Sequence, residues 1–369
     1  MWMQIGQFAV GVALLVVGAE WLVRGAANLA RACGVSALLI GLTVVAFGTS
    51  APELAVSINA ARQGTAGIAV GNVLGSNIAN LLLVLGLSAL LMPLAVNRQV
   101  LRQEMPVLIV ATALSAVFLL DGSMTRLEGG ALFVLAVLYT VFQVWQARRA
   151  GAPAQEGERL ADDEAAPAEE SRGRGVLMDC ALIVVGLVGL VWGADWLVQA
   201  AVEVARQLGV SEFIIGLTIV AVGTSLPEIA TSLVAVRKGE GDLAVGNVVG
   251  SNLFNLLVVL GLSAVFARGT MPVPEGAQEF DLWFMLVSTL VCLPLMAARQ
   301  QIGRAQGALL LVWYAVYVLW LVLVTRFGSI PSVAAQVILY GLLPVSLVWV
   351  LVDWLRYARG ARFFQEKSE

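Results

Sequence analysis

Apolar residues in this chain run in blocks long enough to cross a bilayer, separated by short polar breaks. A helix needs roughly 20 apolar residues to traverse the hydrocarbon core. On that measure the pattern predicts spans near 5–28, 36–61, 68–94, 104–121 and 127–147. It predicts six more near 176–201, 211–236, 243–266, 281–298, 305–326 and 332–353, making eleven. The break between the fifth and sixth is "RRAGAPAQEGERLADDEAAPAEESRGRG", residues 148–175, which has no apolar periodicity. Such a composition cannot bury a core and reads as a solvated linker. Two blocks carry polar residues where apolar ones belong: "GTSAPE" at Gly48–Glu53 and "GTSLPE" at Gly223–Glu228.

Those hexapeptides belong to a longer repeat. The 50 residues from Gly41 and the 50 from Gly216 align without a gap at an offset of 175, with 32 identities. The match extends upstream, where "GAEWLV" at Gly18–Val23 parallels "GADWLV" at Gly193–Val198. Five spans separate equivalent points, and an odd number reverses the direction of crossing. The expected fold is therefore an all-α integral membrane protein made of two inverted-topology five-helix repeats, with an eleventh C-terminal helix. Its predicted parts are a first repeat at 1–147, a cytoplasmic acidic linker at 148–175, a second repeat at 176–326, and an extra span with a basic tail at 327–369.

Composition agrees with the pattern. Of 369 residues 59% are hydrophobic and only 13% charged, where a soluble domain carries about a quarter. The formal net charge of -3 gives no basic surface for nucleic acid, and no stretch signals a protein partner. The first residues, "MWMQIGQ", lack the basic start of a cleaved signal peptide, so the first block is expected to remain as a span. With the N-terminus placed outside, 17 of the 22 Lys and Arg fall on the inner side and 5 on the outer. The positive-inside rule thus predicts an outer N-terminus and a cytoplasmic C-terminus. The short linker and the lack of targeting segments point to the plasma (inner) membrane.

Chemistry narrows next. No histidine occurs, which removes the commonest transition-metal ligand and general base. Cys33, Cys180 and Cys292 share no ligand spacing and read as apolar fillers. Neither a cofactor nor an enzymatic site is expected. Thr49, Ser50 and Glu53 fall within one helical turn, and Pro52 leaves the Gly48 carbonyl without its helical partner. Thr224, Ser225, Glu228 and Pro227 repeat the arrangement. In the next span of each half, Asn72, Ser76 and Asn80 are four apart, as are Asn247, Ser251 and Asn255. This is an all-oxygen set suited to hard cations such as Na⁺ and Ca²⁺. A carboxylate inside a membrane costs at least ~2.5–3.5 kcal/mol, and bearing that cost twice marks Glu53 and Glu228 as functional. Glycines 71, 75, 246 and 250 read as packing devices. Glu20 and Asp195 read as structural, and Glu104, Glu128, Glu279 and Asp281 as ordinary carboxylates at span ends.

The segments "GTSAPE…GNVLGSN" and "GTSLPE…GNVVGSN" resemble the alpha repeats of the sodium/calcium exchanger family, within the cation/calcium antiporter superfamily. The resemblance implies four cation sites between spans two, three, seven and eight. It implies Glu53 and Glu228 as central carboxylates, with ligands from Thr49, Ser50, Ser76, Thr224, Ser225 and Ser251 and main-chain oxygens of Ala46 and Ala221. Asn80 matches the family's polar position in span three, whereas Asn255 stands where several members carry aspartate, which argues against K⁺ co-transport. The function implied is Na⁺/Ca²⁺ antiport by alternating access, with both ions as substrates. The alternatives are a Ca²⁺/H⁺ antiporter using the same glutamates, or a passive cation channel.

Overall fold

The computed structural model describes residues 2–149, 169–207 and 221–327, together with Leu342, Ser346, Val348, Val350 and Val352. The helices of the first half are α1 (Trp2–Cys33), α2 (Ala37–Thr49), α3 (Ala51–Gln63), α4 (Ala66–Leu91), α5 (Val100–Leu119) and α6 (Arg126–Arg149). In the second half they are α7 (Glu169–Gln207), α8 (Ala221–Thr224), α9 (Leu226–Arg237), α10 (Gly241–Phe266), α11 (Ala277–Ala297) and α12 (Arg304–Phe327). Among the described residues eight helices are long and apolar enough to span, and α2 with α3 forms a ninth bent by 45°. The start of the predicted span 211–236, most of 332–353 and the linker from 150 to 168 lie outside the described residues. Of the last span, Ser346 is buried and accepts a hydrogen bond from Trp313 Nε1 at 3.1 Å.

Two small antiparallel ladders show how the halves are set. Strand β1 (Leu94–Ala95) pairs with β4 (Gln301–Ile302), and β2 (Ser123–Met124) pairs with β3 (Met271–Pro272). By the sequence repeat β1 corresponds to β3 and β2 to β4, so each pair joins loops that are not equivalents. Loops one span apart can meet at the same membrane face only when one half is upside down relative to the other. The inversion expected from the odd span count is therefore built into the ladders.

Helices α1 and α7 pack against each other along a glycine seam. A Cβ at Gly18 would lie 2.7 Å from the Gly186 carbonyl oxygen, and one at Gly11 would lie 2.9 Å from that of Gly193. Gly11 is the counterpart of Gly186 and Gly18 of Gly193, so the contacts exchange under a two-fold rotation. Lacking Cβ atoms, these positions allow backbone contact without a large apolar interface. The outward faces of α1 and α7 carry exposed Phe8, Val16, Val184 and Trp192, as a lipid-facing surface requires. Among the eight long spanning helices of the described residues, α4 and α10 are the most buried. The chain is a multi-pass membrane protein whose polar residues converge on the two central helices.

Candidate functional site

The break between α2 and α3 falls at Ser50, whose backbone (φ -86°, ψ 8°) leaves the helical region, with Pro52 in the first turn of α3. Proline fits the first turn of a helix, where its missing N–H has no carbonyl to serve. The second half repeats the break at Ser225 (φ -89°, ψ 6°), with Pro227 opening α9. Each break places its glutamate in the first turn of the following helix, where four N–H groups lack helical acceptors. That end of a helix favours negative charge.

Burial of the predicted residues is nearly complete. Thr49, Ser50, Glu53, Ser76, Asn80, Ser225, Glu228, Ser251 and Asn255 are each no more than 3% exposed, and Thr224 is half-buried. Ala46 is buried in the last turn of α2, and Ala221 opens α8. Asn80 and Asn255 each begin a π-helical stretch, Asn80–Val84 in α4 and Asn255–Leu260 in α10. Such widened turns interrupt a regular helix and recur at functional sites.

The hydrogen bonds cross between halves. Ser50 Oγ donates to Glu228 Oε1 at 3.1 Å. Thr49 Oγ1 donates to Asn247 Oδ1 at 3.2 Å and lies 3.4 Å from Ser251 Oγ. Thr224 Oγ1 donates to Asn72 Oδ1 at 3.5 Å. Glu53 and Glu228 stand within electrostatic reach of each other. Among the described residues, both carboxylate oxygens of Glu53, Oε2 of Glu228, the hydroxyls of Ser76 and Ser225, and the amides of Asn80 and Asn255 have no protein hydrogen-bond partner. Buried polar atoms ordinarily have partners, and leaving one unmet costs about 1–3 kcal/mol. Their concentration among residues singled out by chemistry suits a site that takes an ion. No cluster of three or more His, Cys, Asp and Glu occurs among the described residues. A cation here would draw the rest of its ligands from hydroxyl, amide and carbonyl oxygens.

Some polar residues exceed the sequence reading. Asn72 Nδ2 donates to Ser57 Oγ at 2.9 Å and to the Glu53 carbonyl at 3.3 Å, and Asn247 Nδ2 donates to Ser232 Oγ at 3.1 Å. The face shared by Asn72, Ser76 and Asn80 pointed to the first asparagine, but its partners required the fold. Thr231 and Asn252 are also fully buried, with polar atoms unpartnered among the described residues. Glu104 is not an ordinary carboxylate at a span end. It is fully buried, bound by Tyr139 Oη and by Gln143 Nε2 at 2.9 and 3.0 Å, with Gln99 Nε2 at 2.9 Å. The polar stripe Tyr139, Gln143, Gln146 on one face of α6 was the available signal. Glu20 pairs with Lys238 Nζ at 3.2 Å, across the two halves. Asp195 accepts from Gln199 at 2.8 Å, one turn along its own helix.

Known proteins carry the same architecture. A family model described as "Sodium/calcium exchanger protein" matches residues 3–145 and 179–323, one segment in each half. The inner membrane protein YrbG of Escherichia coli is 39% identical over 313 residues, covering 83% of this chain and 94% of that protein. The sodium/calcium exchanger MaX1 of Methanosarcina acetivorans is 32% identical over 340 residues, covering 83% and 95%. A solved structure of the sodium-calcium exchanger NCX_Mj, soaked with zero Na⁺ and Ca²⁺, superposes with a TM-score of 0.73 at 32% identity, covering 86% of this chain and 98% of the other. With both inverted halves matched and the relatives covered nearly end to end, the chain belongs to the sodium/calcium exchanger family of membrane antiporters.

Proposed function

We propose that this protein exchanges Na⁺ for Ca²⁺ at one shared site formed by Glu53 and Glu228. The observation that carries the reading is the pair of buried glutamates, one from each inverted half, with three of their four carboxylate oxygens unpartnered among the described residues. Two carboxylates match the charge of one Ca²⁺, and several Na⁺ can occupy neighbouring oxygens instead. Thr49, Ser50, Ser76, Asn80, Thr224, Ser225, Ser251 and Asn255, with the carbonyls of Ala46 and Ala221, supply the remaining ligands. Because both ions need the same carboxylates, binding one expels the other. The empty site leaves paired negative charge in a low-dielectric interior, which disfavours crossing without a cargo. Alternating access comes from the α1–α7 pair moving against the core, and its glycine seam supports motion of the two helices as one unit. The membrane is the inner membrane, with the N-terminus outside and the C-terminus cytoplasmic. The basic-residue asymmetry supports that orientation, and the name of the Escherichia coli relative supports the compartment.

The test is flux into liposomes loaded with Na⁺ and diluted into Na⁺-free buffer containing radioactive Ca²⁺. Uptake should require the outward Na⁺ gradient and vanish when Na⁺ is matched on both sides. Uptake indifferent to Na⁺ but driven by an imposed pH gradient would replace this reading with Ca²⁺/H⁺ exchange. Uptake that needs no counter-ion gradient would indicate a channel.

A further inference from the structure

Asn72 and Asn247 occupy equivalent positions on α4 and α10, eight residues before Asn80 and Asn255. Each uses both ends of its amide. Asn247 Nδ2 donates to Ser232 Oγ at 3.1 Å on α9, while its Oδ1 accepts from Thr49 Oγ1 at 3.2 Å in the opposite half. Asn72 Nδ2 donates to Ser57 Oγ at 2.9 Å on α3, while its Oδ1 accepts from Thr224 Oγ1 at 3.5 Å, again across halves. The same bridge thus occurs twice, related by the inversion.

A threonine hydroxyl has one proton and two lone pairs. Inside a helix that proton commonly turns back to a carbonyl three or four residues earlier. For Thr49 that acceptor is the Ala46 oxygen, 3.4 Å away; Ser251 Oγ also lies at 3.4 Å and the Glu228 carboxylate stands within reach, but Asn247 Oδ1, at 3.2 Å, is nearer than the first two. A proton donated to Ala46 O would occupy a lone pair of one expected ligand and fix the hydroxyl's orientation toward its own helix. A proton taken by Asn247 leaves the hydroxyl oxygen open to a cation and the Ala46 oxygen engaged only by the Ser50 N–H at 3.0 Å.

We propose that Asn247 and Asn72 are positioning residues that take the hydroxyl protons of Thr49 and Thr224, so that each threonine presents its oxygen to the transported ion as an acceptor. Asparagine suits the task because it carries a donor and an acceptor on one rigid plane without adding charge. Aspartate would lose the donor to serine and place a third carboxylate beside the site.

This proposal rests on reading Glu53, Glu228 and their neighbours as the cation site, which Glu53→Gln and Glu228→Gln test separately. Its own test is a pair of double-mutant cycles read as half-saturation for Na⁺ and for Ca²⁺ in reconstituted exchange. Asn247→Ala should raise the half-saturating Na⁺ concentration by about tenfold while maximal rate stays within about twofold, as expected for one hydrogen bond to an ion ligand. Adding Thr49→Ala to Asn247→Ala should bring little further change, and Thr224→Ala with Asn72→Ala should behave likewise. The crossed pairs, Thr49→Ala with Asn72→Ala and Thr224→Ala with Asn247→Ala, should be additive. Additive effects in the matched pairs would overturn the proposal, as would equal coupling in the crossed pairs. So would an unchanged half-saturation in a variant with wild-type thermal stability in detergent. Should Asn247→Ala fail to fold, the Asn72 cycle stands alone, since Asn72 is only half-buried.

Discussion

The two copies of the polar hexapeptide have nearly the same sequence and the same backbone break, yet they are not in the same state. Around the first copy Thr49 is bonded to Asn247 and lies against Ser251, and Ser50 donates to Glu228. Around the second, Thr224 reaches Asn72 at 3.5 Å, while the Ser225 hydroxyl and both Glu53 oxygens have no partner among the described residues. The candidate ligand residues are of the same types in both copies, so the difference lies in how they are arranged and in what surrounds them. A two-state antiporter needs this property: exchanging the roles of the halves turns one facing state into the other.

The largest effect expected is at the carboxylates. Glu53→Gln or Glu228→Gln should each reduce Ca²⁺ exchange to background in liposomes, despite their different hydrogen bonding here. Substantial exchange surviving in either variant would mean that the glutamates do not act as one unit. Next is the seam between α2 and α10, where a Cβ at Gly250 would fall 2.6 Å from the Leu42 carbonyl oxygen. Gly250→Val should destabilise the protein by about 1–3 kcal/mol, the usual cost of overpacking, and thermal unfolding in detergent would register it.

Ser50→Ala and Ser225→Ala probe the comparison itself. A hydrogen bond to a charged group contributes about 1.5–3 kcal/mol, so Ser50→Ala should alter apparent Ca²⁺ affinity by about tenfold or more if this conformation dominates. Ser225→Ala should then shift it less. Equal shifts would show that the opposite-facing state, with the roles exchanged, is comparably populated. The smallest effect belongs to the Lys238–Glu20 ion pair, whose side chains are 32% and 57% exposed. Such surface pairs contribute about 0–1 kcal/mol, so Lys238→Ala should leave thermal stability nearly unchanged.

Much of this was legible in the chain. Hydrophobic block length located the spans that fall within the described residues, and the offset of 175 identified the repeat. An odd span count then required inversion, which the β1–β4 and β2–β3 ladders display. Buried glutamates could be singled out because a carboxylate has few reasons to lie inside an apolar helix. Pairings across halves were not legible: Ser50 and Glu228 are 178 residues apart, and no local pattern encodes their contact. Glu104 escaped for a different reason. It stands at the edge of an apolar block, and only the packing of α6 against α5 converts that edge into an interior. The π-helical stretches at Asn80 and Asn255 were likewise invisible, because widening a turn by one residue leaves no compositional trace.

The most direct test of a single shared site is equilibrium binding of radioactive Ca²⁺ to the purified protein in detergent, titrated with Na⁺. The account predicts one Ca²⁺ per chain coordinated by both glutamates, displaced by Na⁺ and abolished by Glu53→Gln and by Glu228→Gln alone. Ca²⁺ binding that Na⁺ fails to displace, or that persists in either single variant, would contradict it.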